Sequence, residues 1–77
     1  MSGPTSRAGL QRAAIVGYLR ANGESFGLTI LADVPSLTHG ATYRRLRELQ
    51  RAGIVEAAPR LIGGIPRVLY RLTDGGS

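Results

Sequence analysis

The sequence predicts an α+β domain in which three helices precede a small antiparallel hairpin, and three observations carry that prediction. A helical pattern with matched start and stop signals runs from Thr38 to Gly53. A strictly alternating segment, Arg67-Val68-Leu69-Tyr70-Arg71-Leu72, follows a loop marked by glycine and proline. Two shorter helical patterns come first, and only Val34-Pro35-Ser36-Leu37 separates the second of them from the third helix.

Residues 1–8 read as a flexible leader, residues 9–73 as the domain and residues 74–77 as a tail. The leader has no charged stretch followed by an apolar run, so it does not read as a signal peptide. The first helix is expected over about residues 10–21, with Ala14, Ile15, Tyr18 and Leu19 on one face and Gln11, Arg12 and Arg20 toward solvent. Asn22-Gly23 is a plausible stop, and Ser25-Phe26-Gly27 is a short extended stretch. The second helix, over about residues 28–33, is expected to turn Leu28, Leu31 and Ala32 inward before Pro35 ends it. In the third, Thr38 is the N-cap, Leu37 can staple onto Thr42, and the helix runs to Ala52 with Gly53 closing it. Its inward stripe is Thr42, Leu46 and Leu49. A strand over residues 54–58 is expected to end at Pro59, a loop to occupy 60–66, and the alternating strand to turn Val68, Tyr70 and Leu72 to one face. Helix, short strand, helix, helix, hairpin is the order of a winged helix-turn-helix with a two- or three-stranded wing.

The chain has 77 residues, 43% hydrophobic and 19% charged, which suits one small folded domain. No apolar run approaches the ~20 residues that span a bilayer. With no cysteine there is neither a disulfide framework nor a thiolate metal site, which suits a cytoplasmic, nucleoid-associated protein. All ten basic residues are arginine, against five acids, for a net charge of +5. A GC-rich genome accounts for arginine in place of lysine; it does not account for cations outnumbering acids two to one. A domain this basic points toward a polyanionic partner. The planar guanidinium fork suits phosphates and guanine edges better than an ammonium does.

The placement of the arginines sharpens this. At 100° per residue, Gly40, Arg44, Arg47 and Arg51 fall on one line of the third helix, opposite Thr42, Leu46 and Leu49. Glu48, the one acid on that helix, lies beside the line, within reach of Arg44 or Arg51. A row of like charges repels itself unless something anionic lies against it. Double-stranded DNA is therefore the expected partner, with helix 38–52 in the major groove. Gly40 permits close approach of the groove wall, Arg44 and Arg47 reach base edges, and Arg51 reaches backbone. Thr38 and His39 belong to the same contact set, at a helix start whose amides can hold a phosphate. Tyr43 either donates its hydroxyl to a phosphate or completes the core, and Arg45 is either a solvated charge or a phosphate contact; both alternatives stay open.

Arg60 and Arg67 bracket the hairpin loop and are expected on the DNA backbone or in the minor groove. The aliphatic residues between them, Leu61, Ile62 and Ile65, fit three roles: folding back on the domain, wedging against a sugar, or contacting a protein. Arg71 reads better as an ordinary strand charge. Catalytic chemistry has no candidate. His39, the single histidine, has no acid or cysteine at ligand spacing, the five acids form no pair, and no serine has a histidine partner at suggestive spacing. No enzyme activity, cofactor, metal or membrane partner is expected. Two other readings remain: a winged helix used as a protein-interaction module, and a DNA-binding accessory factor of a plasmid or phage serving transfer, excision or partition.

The segment Thr38-His39-Gly40-Ala41-Thr42-Tyr43-Arg44-Arg45-Leu46-Arg47-Glu48-Leu49-Gln50-Arg51-Ala52-Gly53-Ile54-Val55 resembles the recognition helix and first wing strand of PadR-like transcriptional regulators, and more distantly of MarR-like ones. Gly63-Gly64-Ile65-Pro66-Arg67-Val68-Leu69-Tyr70-Arg71-Leu72-Thr73 and the glycines after it are similar to their closing stretch. The likeness covers roughly residues 26–76. It implies DNA binding and transcription regulation, with Tyr43 and Arg44 near DNA and Tyr70 in the core beneath the wing. PadR-like proteins carry C-terminal dimerisation helices that are lacking here. Additional contacts are then expected from a homodimer through the first helix, from side-by-side assembly on DNA, or from a larger parent protein.

Overall fold

The computed structural model describes residues 6–73; the expected leader over 1–5 and the tail over 74–77 lie outside the described residues. Helix α1 spans Arg7–Asn22 and starts earlier than the apolar repeat suggests, because the Ser6 hydroxyl accepts a hydrogen bond from the Gly9 amide at 3.0 Å. Arg7 and Ala8, expected in the leader, therefore belong to the helix. Ile15 and Leu19 are its buried residues. Tyr18 lies at the rim and donates to Asp33 at 2.6 Å, tying α1 to the next helix. Arg12, expected toward solvent, is instead drawn to Glu48.

After strand β1 (Ser25–Phe26) comes helix α2 (Gly27–Asp33), whose phase differs from expectation. Ile30 is the fully buried residue, while Leu28 and Ala32 are exposed and Leu31 is half-buried. Seven residues make only about two turns, too few for apolar spacing to set the rotation. Packing sets it instead, through Gly27, which is buried against a side chain of the following helix. That helix, α3 (His39–Arg51), is capped at Thr38 as expected. The Thr38 hydroxyl accepts from the Ala41 amide at 3.1 Å, and the Thr42 hydroxyl donates back to the Thr38 carbonyl at 2.8 Å. Thr42 is fully buried, and Leu46 and Leu49 join Ile15, Leu19, Ile30, Leu37, Val55 and Tyr70 in the core. Burial of apolar side chains stabilises by about 1.5–3 kcal/mol each, so this cluster is what holds α3 in place.

Strands β2 (Val55–Ile62) and β3 (Ile65–Leu72) form the wing, and the sheet order is β1-β3-β2, all antiparallel. Pro59 does not end β2, contrary to expectation; the strand runs through it to Ile62. β2 is an edge strand, where a missing N–H can face away from the ladder. Pro66 is tolerated in β3 for a related reason. β1 pairs only with Leu69 and Tyr70, so near the tip β3 is an edge too. The expected seven-residue loop thus contracts to Gly63-Gly64, with φ of +59° and +81°. Positive φ at both central residues is what a two-residue type I′ turn needs, and glycine supplies it without strain. Among the described residues, no helix is long and apolar enough to cross a membrane.

Candidate nucleic-acid interface

Two elements could meet a long polyanion: α3 and the wing. On α3, Gly40, Arg44, Arg47 and Arg51 are all exposed, opposite the buried Thr42, Leu46 and Leu49, as the helical period requires. Arg44 and Arg51 are seven positions apart, about 10 Å along the axis. Among the described residues, none of these three arginines pairs with a carboxylate.

Glu48 is already engaged, though not with the partners its spacing offers. Its Oε1 accepts from Arg12 of α1 at 2.7 Å and from Arg45 at 3.1 Å. The expected pairing with Arg44 or Arg51 does not occur, because Glu48 turns toward α1 and the exposed arginines turn away from it. Arg45 is neither of the alternatives left open for it. It is only 8% exposed, and its Nε has no hydrogen-bond partner among the described residues. The three charges form a bridge between α1 and α3, and their effect on the surface is subtractive. The only acid of α3 is neutralised on the inner flank, so the outer face carries positive charge alone.

Of the two roles considered for Tyr43, the structure shows the one in the core. Its ring packs on the core and over Gly27, so closely that a Cβ there would lie 2.7 Å from Tyr43 Cε1. No hydrogen bond within the described residues occupies its hydroxyl, and the His39 ring lies beside it, tilted by 48° with the ring centroids 5.0 Å apart. Tyr43 lines a cleft of about 220 Å³ with Phe26, Gly27, Pro66, Arg67 and Val68, which joins α3 to the root of the wing. Gly27→Ala should therefore destabilise the domain by about 1–3 kcal/mol, although alanine is the better helix former. Thermal melts check this: the loss should shrink in a Tyr43→Leu background, and equal losses in both backgrounds would show that the ring is not what the new methyl meets.

Beneath this cleft, burial pushes the Tyr70 hydroxyl to a raised pKa; Tyr43 adds to the effect and the positive charge of Arg47 opposes it. Tyr70 lies in the core beneath the wing, where the family resemblance places it.

In the wing, Arg60 and Arg67 are direct cross-strand partners rather than loop flanks. Neither pairs with a carboxylate among the described residues; Arg60 donates only to the neighbouring Pro59 carbonyl at 3.1 Å. Lower in the same hairpin, Arg71 pairs with Glu56 at 2.8 Å, which makes it the ordinary strand charge it was expected to be. Thr38 and His39 are exposed at the start of α3. A residue that sequence periodicity missed is Arg7. With Gln11 of α1 it faces Thr38, Gly40 and Arg44 across a cleft of about 490 Å³. The signal available was Ser6, a good N-cap just ahead of the expected leader boundary.

Three helices, a tight turn between the second and third, and a three-stranded sheet ending in a projecting hairpin define a winged helix-turn-helix domain. Its architecture is PadR-like, as solved structures bear out. PadR of Bacillus subtilis in complex with operator DNA superposes with a TM-score of 0.79 at 28% identity, over 87% of this chain and 43% of that one. The Zalpha domain of PKZ from Carassius auratus, in complex with Z-DNA, gives 0.74 at 29% identity, over 88% of this chain and all of that one. The reduced transcriptional regulator YodB of B. subtilis gives 0.74 at 26%, over 84% of this chain and 62% of that one. The chain thus spans less than two thirds of either bacterial regulator. No protein-family model and no curated protein sequence matches it.

Proposed function

We propose that this domain binds double-stranded DNA sequence-specifically and serves transcription regulation, with helix 38–52 in the major groove and the 59–67 wing on the backbone or in the minor groove. The observation that carries this is the sorting of charge on α3: Glu48 and Arg45 are folded inward as a pair, and Arg44, Arg47 and Arg51 stay outside with no carboxylate partner among the described residues. Arg44 and Arg47 then read base edges, and Arg51, further along, grips phosphate. Thr38, His39 and Gly40 bring the start of the helix against the backbone, where its free amides favour an anion. The Tyr43 hydroxyl donates to the same strand. Arg60 and Arg67 hold phosphates from the wing. The DNA complexes of PadR and of the PKZ domain, both of similar fold, support the reading.

Selection of bound duplexes from a random pool at two salt concentrations tests it. A reproducible motif that survives the higher salt is expected; recovery of no duplex even at low salt overturns the proposal. The left-handed DNA of the PKZ complex gives a second arm: a duplex locked in that form should not compete better than the selected one. Within the selected set, Arg60→Ala should weaken all duplexes alike and reduce the slope of log affinity against log salt by about 1.

A further inference from the structure

The wing carries more than two arginines. Leu61 is 73% exposed, Ile65 54% and Ile62 46%, and Pro66 is exposed beside them. An apolar tip on a domain of net charge +5 is not explained by phosphate binding. From the Pro59–Val68 pair outward the hairpin has no third strand, and it projects roughly 13 Å to the Gly63-Gly64 turn.

Register fixes how the tip is arranged. Ile62 opposes Ile65 at the last pair before the turn, and Arg60 opposes Arg67 two residues behind, on the same face. Leu61 and Pro66, between them in register, occupy the other face. The charges therefore trail the isoleucines by about 7 Å, close to the ~7.5 Å depth of a DNA minor groove. Like charges directly opposite one another in a sheet are unfavourable. At the root of the same face that problem is solved by Glu56 facing Arg71; at Arg60 and Arg67 it is left to an outside anion. The tip is also continuous with the proposed DNA-reading surface, since Pro66, Arg67 and Val68 share a cleft with Tyr43 of α3.

We propose that the wing tip is an apolar wedge that enters and opens the DNA minor groove, with Ile62 and Ile65 against sugars and base edges and with Arg60 and Arg67 on the phosphates at the rim. This rests on the DNA-binding reading and goes beyond it: the protein deforms the duplex it binds. A groove about 6 Å wide must widen to admit a two-stranded tip. Widening is easiest at flexible pyrimidine–purine steps and hardest in stiff A-tracts. The domain therefore favours TA or CA steps where the wing lands, without hydrogen-bonding the bases there.

Two end-labelled duplexes test this by energy transfer between their ends: one taken from the selected pool, and the same duplex with an A-tract placed at the wing position. The wild-type protein should shorten the end-to-end distance of the first and bind the second more weakly. Ile62→Ser with Ile65→Ser should abolish the shortening and cost roughly tenfold in affinity, with the salt slope unchanged because no charge is lost. Arg60→Ala with Arg67→Ala should flatten that slope by about 2. Both isoleucines are exposed, so an unchanged thermal melt verifies that the first variant folds. Shortening that persists without the isoleucines overturns the wedge while leaving DNA binding intact. So does sedimentation showing a free wild-type dimer that the same substitutions dissociate, which would make the tip a contact between copies. Failure of the wild type to bind either duplex overturns the DNA reading, and the wedge with it.

Discussion

Glu48→Ala should lower the stability of the free domain by about 2 kcal/mol, or roughly 8–16 °C in melting temperature for a domain of this size. The reason is the charge left behind. Arg45 keeps only 10% of its side chain exposed and has Glu48 as its acceptor, so removing the carboxylate strands a guanidinium in a site that water hardly reaches. Loss of a partner in a fully buried pair typically costs about 3–5 kcal/mol. The lower figure follows because Glu48 and Arg12 remain 37% and 39% exposed and Arg12 can turn to water. Affinity for DNA should move the other way: the variant is one unit more positive, so non-specific binding at low salt should tighten. Glu48→Gln, which keeps an acceptor oxygen, should fall between wild type and alanine. Calorimetric melts and a low-salt titration with mixed-sequence duplex read both arms. A melting temperature within about 2 °C of wild type would show that Arg45 is solvated after all.

Arg44→Ala and Arg47→Ala should each cost about 1–3 kcal/mol of binding, roughly 5- to 150-fold, on the selected duplex. Each should also relax the preference at one base pair. Their thermal melts should stay within about 0.5 kcal/mol of wild type, since both side chains are exposed and neither makes an ion pair among the described residues. The two lie one turn apart, so the double variant need not lose the sum. Arg51→Ala is the control. It should weaken every duplex alike, because in the proposed docking its place near the end of α3 puts it against backbone and not bases. Unchanged affinity for Arg44→Ala and Arg47→Ala at low salt would remove the recognition helix from the binding surface.

Some of the molecule was plain from the chain, and some was not, for reasons that differ by element. Thirteen residues of α3 repeat the helical period several times between a threonine cap and a terminal glycine, so its extent, its buried stripe and its arginine line all follow from local pattern. The alternation of β3 and the burial of Tyr70 are legible on the same ground. α2 is too short for that: its inward residue is Ile30, decided by Gly27 fitting under Tyr43 sixteen positions away. Pro59 looks like a strand end because proline lacks a donor, yet nothing local reveals that its strand is an edge.

The charges divide along the same line. That this domain carries far more cations than acids, and that three arginines share one face of a helix, is settled by composition and by the geometry of 3.6 residues per turn. Which arginines are free is not. Arg12 and Arg45 are chemically the same as Arg44 and Arg47, and only the packing of α1 against α3 gives the first two a shared carboxylate and leaves the others without one among the described residues. A period is a property of neighbouring residues along one helix. An ion pair across 36 positions exists only once the core has brought two helices together.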